Sequence, residues 1–272
     1  MSEGKATSYR CNRCDRYWAE GALKQIRAGS GFVTACPTCG DLVHEEASRV
    51  ARPLPTLLAG AFIYPFRGST VLWAIGLLVV TTFLRFVPLV GGLLAISAEL
   101  GFLFAVLRSS AAGESELRVE ASDIADFTSW FGPLFKYLAA FALSFGPAIF
   151  LAILLSQNRN EASTLLIIYG AGGLGLLYFP AALVVAAHSE GCLGVLNPVA
   201  GVTFISRIPG PYAITLAFLS LAVAAGAGML TTAAAIDIPI VGLIARSIAS
   251  LYAPLVGMRM LGLLMEEHAE EL

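Results

Sequence analysis

Charge is scarce in this chain. Of its 272 residues, 13% are Asp, Glu, Lys or Arg, against roughly a quarter in a globular domain, which excludes an ordinary soluble fold. The deficit is local: residues 1–52 hold eight Lys/Arg and six Asp/Glu, whereas 71–84 and 211–236 hold none. Histidine is almost as rare, with three in all, and neither HExxH nor a Ser/His/Asp arrangement occurs. The glycine run 170–175 lacks the Lys-Ser/Thr of a phosphate loop, so no enzyme is expected. No apolar h-region follows Met1-Ser2-Glu3-Gly4-Lys5, so the expectation is an uncleaved chain whose first membrane helix is its own insertion signal. A net charge of −2 points to no particular partner.

What the chain does have is long apolar runs, since 57% of it is hydrophobic. A bilayer helix needs roughly 20 mostly apolar residues, and about six segments qualify: 70–84, 89–107, 131–155, 164–188, 211–236 and 240–265. The first is short and extends through Arg85 if that guanidinium snorkels to the surface. Segment 54–66 is apolar but too short to cross and is interrupted by Pro65, so an interfacial position is expected, with Arg52 and Arg67 available to lipid phosphates. The expected fold is an all-α polytopic membrane helical bundle with a small N-terminal β module. Its parts are 1–48 (the β module), 49–69 (linker and interfacial segment), 70–265 (membrane domain) and 266–272 (acidic tail).

Arg49, Arg52, Arg67, Arg108, Arg118, Lys136, Arg207 and Arg259 fall toward one side of this arrangement, and Arg85, Arg159 and Arg246 toward the other. By the positive-inside rule both termini then face the cytoplasm, in a cell inner membrane. The inner connections are the longer ones. The 109–130 loop is acidic, with Glu114, Glu116, Glu120, Asp123 and Asp126 against Arg118. The 189–210 connection contains Asn197-Pro198, an N-cap followed by proline at the first helical position, which predicts a short amphipathic helix on the inner surface. Pro88-Leu89-Val90-Gly91 and Pro239-Ile240-Val241-Gly242 echo one another, either as a parallel duplication or as chance in apolar sequence.

Cys11-Asn12-Arg13-Cys14 and Cys36-Pro37-Thr38-Cys39-Gly40 hold four of the five cysteines. Two CxxC pairs can close a tetrahedral thiolate site. In a reducing compartment that spacing reads as metal-binding rather than as a disulfide framework. Pro37 and Gly40 suit the tight turn of one knuckle, and Asp15 tolerates left-handed geometry at the other. The 21 residues between Cys14 and Cys36 are enough for a hairpin. Phe32-Val33-Thr34 and Leu42-Val43 read as strands, with Tyr9, Trp18 and Phe32 as a small core. The pattern resembles a rubredoxin-type zinc ribbon, which implies Cys11, Cys14, Cys36 and Cys39 as metal ligands. Rubredoxin itself binds iron through the same four positions but carries an acidic loop, where this chain has Lys24 and Arg27. One structural zinc is the leading expectation, with iron or a redox dithiol as alternatives. With four thiolates at hand His44 reads as a surface residue, and Cys192 as a plain thiol.

Two charges interrupt the apolar spans. Glu99 and Arg246 are expensive in a bilayer and hence functional candidates. They could pair with one another, or Glu99 could carry protons in a transport path; otherwise Glu99 is a protonated carboxyl and Arg246 a snorkelling side chain. His188 and Glu190 stand together at an inner helix end, more simply as an interfacial pair than as metal ligands. The small-residue runs 170–175 and 224–228 suit close helix–helix packing. The order Tyr64-Pro65-Phe66-Arg67, an apolar helix, Pro88-Leu89-Val90-Gly91, a second helix ending Val106-Leu107-Arg108, then Gly113-Glu114-Ser115-Glu116-Leu117 resembles domain-of-unknown-function family 4013. That is an uncharacterised prokaryotic membrane family. Tyr178-Phe179-Pro180-Ala181 and 191–199 are similar to its later half. The resemblance covers about residues 55–265 and implies a multi-pass helical domain with no established activity.

These features favour a membrane-anchored interaction module in which the ribbon, with the 109–130 loop, recruits a cytoplasmic protein partner. The alternative is a transporter or channel with the ribbon as regulator, and a third reading is a redox enzyme using the CxxC pairs. The basic face of residues 5–27, six Lys/Arg against two acids, lacks the interleaved aromatics of a nucleic-acid surface. It suits the anionic inner leaflet instead. No small-molecule substrate is identified.

Overall fold

The computed structural model describes residues 8–11, 17–19, 23–28, 31–39, 43–46, 53–88, 90–114, 127–156, 162–189 and 191–269. They form two compact units, Met1–Pro53 and Leu54–Leu272.

In the first unit, short strands run β1 (Ser8–Cys11), β2 (Tyr17–Ala19), β3 (Lys24–Ala28), β4 (Gly31–Ala35) and β5 (Val43–Glu46). One sheet has the order β2-β1-β5, and β3-β4 is a separate antiparallel hairpin. Register pairs Tyr9 with Trp18 and Ile26 with Val33. The expected strand at Phe32-Val33-Thr34 is β4. Val43 opens β5, whereas Leu42 lies outside the described residues. The Tyr9, Trp18 and Phe32 side chains are likewise outside the described part of the unit.

The second unit is helical. It begins with α1 (Leu54–Ala61) and a 3-10 turn (Tyr64–Phe66) holding Pro65 in its first positions. Three hairpins follow: α2 (Gly68–Leu84) with α3 (Gly91–Ala111), α4 (Phe127–Leu154) with α5 (Ala162–His188), and α8 (Pro209–Ala234) with α9 (Pro239–Glu267). Between the second and third lie α6 (Cys192–Val195) and α7 (Pro198–Arg207). The α7 start is as expected, with Asn197 Oδ1 accepting from Val199 N at 3.1 Å.

Among the described residues five helices are long and apolar enough to cross a membrane, the character of a multi-pass integral membrane protein. The expected first span does not reach that length. With 17 residues, α2 rises about 26 Å at 1.5 Å per residue, short of a hydrocarbon core of about 30 Å. Pro65 and Arg67 precede it, and Arg85 interrupts the apolar sequence before Phe86 and Val87.

Packing is concentrated at one end of this unit. Buried residues crowd the last turns of α3 (Leu103, Phe104, Val106, Leu107), of α5 (Ala181 to Val184, Ala186) and of α9 (Leu255, Val256, Met260, Leu264), together with Leu58 of α1. Toward the three hairpin turns, large apolar side chains stand exposed, such as Phe83 at 70% and Leu166 at 74%. In water that surface would be prohibitive; against acyl chains it costs nothing. Proline interrupts α4 at Pro133 and Pro147, α5 at Pro180 and α9 at Pro254, which membrane helices tolerate because neighbouring groups meet the freed carbonyls.

Candidate metal centre and intramembrane charges

Antiparallel pairing of β1 with β5 sets Cys11, the last residue of β1, opposite Val43. That places it beside the turn formed by Pro37, Thr38 and Cys39. The sulfurs of Cys11, Cys36 and Cys39 consequently all lie within 4.8 Å of one another. Cys11 Sγ and Cys39 Sγ are 3.3 Å apart, too far for a disulfide bond of about 2.05 Å. A tetrahedral zinc with Zn–S near 2.3 Å would hold its sulfurs about 3.8 Å apart, so the three thiols already bracket that spacing. Cys11 and Cys36 are fully buried and Cys39 is partly so. The donor set therefore fits a thiophilic metal ion, and Cys11, Cys36 and Cys39 would hold it. Cys14, expected as the fourth ligand, lies outside the described residues, and so does the side chain of His44.

Within the helical unit the expected charge pairing is replaced by another. Glu99 does not meet Arg246: its Oε1 takes a hydrogen bond and ion pair from Arg85 Nη2 at 3.1 Å. The α2–α3 hairpin explains why. Arg85 caps the end of α2, and the return of the chain lays α3 alongside, so Glu99, the ninth residue of α3, lies within reach of a long side chain. Arg246 stays on its own helix, Nε donating to Gly242 O at 3.2 Å.

A second cluster was not foreseen. Gly113, at φ 78°, closes α3: its N–H bonds to Ser110 O at 3.1 Å, and Glu114 N–H to Ser109 O at 3.0 Å. This is the Schellman pattern, for which glycine is the usual residue because a Cβ is strained at positive φ. The turn delivers the Glu114 carbonyl to Arg259 Nη1 at 2.7 Å, and the same nitrogen donates to Ser110 Oγ at 2.9 Å. The guanidinium carbon stands 4.7 Å over the centroid of the Tyr64 ring. In the sequence Arg259 reads only as an inner-side basic residue, because its three partners lie 145 or more positions away.

His188 bonds through Nδ1 with Val184 O at 3.1 Å, on its own helix. Glu190 and the Cys192 side chain fall outside the described residues. Nearby, Lys136 donates to the Ser189 carbonyl, joining the start of α4 to the end of α5. Comparisons of this chain with protein-family models, with curated proteins and with solved structures find no match.

Proposed function

We propose that this chain is an inner-membrane protein whose N-terminal unit is a zinc ribbon closed by Cys11, Cys14, Cys36 and Cys39, and that it acts as a membrane-anchored interaction module. The observation that carries this reading is the convergence of three buried or half-buried thiols within 4.8 Å on a unit compact in itself. Four thiolates would leave zinc no open position for a substrate, so the ion would act structurally. A module of some fifty residues needs such a staple to stay folded, and the stapled surface is then rigid enough to recognise a protein partner. The Lys/Arg bias favours cytoplasmic termini, with the acidic 109–130 loop on the same side of the membrane. Membership of family 4013 is part of the proposal and rests on the resemblance of residues 55–265.

The test is zinc content of the purified full chain, followed by in-cell crosslinking and pull-down of the native chain against a Cys36→Ser/Cys39→Ser variant. One zinc per chain and a partner set lost only in the variant are expected. An unchanged partner set would sink the adaptor reading, and one iron per chain would sink the zinc assignment.

A second reading, a transporter or channel regulated by the ribbon, draws on Glu99, a carboxylate inside a membrane-length helix. Its bond to Arg85 supplies a local reason for that charge, which makes this the weaker reading. Reconstituted flux abolished by Glu99→Gln would reverse the order.

A further inference from the structure

Two arginines stand near the hairpin turns, and the fold treats them differently. Arg85 is answered by Glu99. Arg246 is exposed, and among the described residues its one acceptor is the Gly242 carbonyl on its own helix. Asp237, exposed in the α8–α9 turn, forms no ion pair with it among those residues.

The backbone sets both the depth and the aim of this side chain. Arg246 lies seven residues beyond Pro239, where α9 begins, about 10 Å along the axis at 1.5 Å per residue. The bond from Nε to Gly242, four residues back, turns the side chain toward the α8–α9 turn, the direction in which helical side chains lean. Glycine at 242 leaves that path clear, since a Cβ there would stand 3.3 Å from Arg246 Nη2. A guanidinium carries five N–H donors, and one is spent on Gly242. The other four point from a surface on which Val241, Leu243 and Ile244 are all exposed, a surface suited to acyl chains. A cation on such a face reaches the headgroup layer by extending along the helix toward its end.

We infer that the Arg246 guanidinium binds the phosphate of a membrane lipid in the leaflet at the hairpin-turn end of the bundle. Its paired N–H groups match two phosphate oxygens, which a single ammonium point charge does not. Inorganic phosphate offers the same oxygens, but the exposed Leu243 and Ile244 favour a ligand that brings acyl chains with it. This inference does not depend on the adaptor reading.

The test uses the full chain, delipidated in neutral detergent and offered phosphatidylglycerol or a galactosyl diacylglycerol with the same acyl chains. Native mass spectrometry counts the lipid retained. Retention of phosphatidylglycerol over the glycolipid is expected, with one molecule fewer per chain in Arg246→Gln and roughly tenfold weaker retention of it in Arg246→Lys. Arg85→Gln, at the same end but bonded to Glu99, should leave the count unchanged. A second measurement needs no variant: phosphatidylglycerol with a photoreactive headgroup should crosslink to residues 236–246 of the native chain. An unchanged count in Arg246→Gln would overturn the inference, as would equal retention of the glycolipid or crosslinks confined to the packed end. An equal loss in Arg85→Gln would show a diffuse charge effect, and displacement by excess inorganic phosphate a free-phosphate site; either would overturn it too.

Discussion

Glu99 and Arg85 are fourteen positions apart in the sequence and 3.1 Å apart in the fold. Their side chains are 25% and 61% exposed, so the pair sits at the margin of the bundle and not in its core. Such a pair contributes little beyond what it prevents, which is a carboxylate left without a partner among apolar surfaces. Arg85→Ala should therefore destabilise the helical unit by about 1–3 kcal/mol, and Arg85→Ala/Glu99→Ala by less than the single change. Thermal unfolding of the wild type, the two single variants and the double variant in detergent measures this, and a double-variant loss equal to the sum of the two single losses would rule the pairing out. That Glu99 is a costly charge is legible from its surroundings in sequence. Its partner is not, because the choice between Arg85 and Arg246 depends on which helix ends meet. The cysteines show the reverse: CxxC spacing alone names Cys11, Cys36 and Cys39, and the β1–β5 register explains how they converge.

The helices meet where glycine allows it. A Cβ on Gly226 would lie 2.7 Å from that of Ala253, and one on Gly262 would meet Ser110 and Leu107 of α3. Gly175 is equally tight against the Ser144 carbonyl of α4, whereas Gly170, Gly172, Gly173 and Gly228 face open space. The composition of 170–175 and 224–228 pointed to close packing, but only one member of each run makes it, since a helix turns its other glycines away from the contact. Gly262→Leu should accordingly cost about 1–3 kcal/mol through overpacking, while Gly172→Ala should be neutral or stabilise by up to about 1 kcal/mol. Chemical denaturation in detergent separates the two, and similar effects at both sites would contradict the crossing of α3 and α9. At the end of α3, Gly113→Ala should cost about 1–2 kcal/mol, the strain of a side chain in left-handed backbone. If it is silent in the same assay, the Schellman turn does not hold α3 as described.

The division into a cysteine unit and a helical unit has a consequence for the whole molecule. If the thiols hold a structural metal, its removal should unfold Met1–Pro53 and leave the hairpins intact, because bilayer and interhelix contacts stabilise the latter. A strong chelator should therefore abolish protection from proteolysis in the first unit and leave the helical circular dichroism nearly unchanged. A parallel loss of helix would refute that independence. The sequence by itself determined the class of each part. Apolar runs of bilayer length carry their own helical requirement, since an unpaired peptide group in lipid is too costly, and two CxxC pairs carry their own chemistry. Only the tertiary structure decided that the helices pack at one end, that Glu99 answers to Arg85, and that Arg259 joins the end of α3 to Tyr64. Those outcomes depend on distances between residues up to 195 positions apart, and on which faces of the helices are close enough to touch. Hydropathy, which is nearly uniform around such helices, carries no record of either.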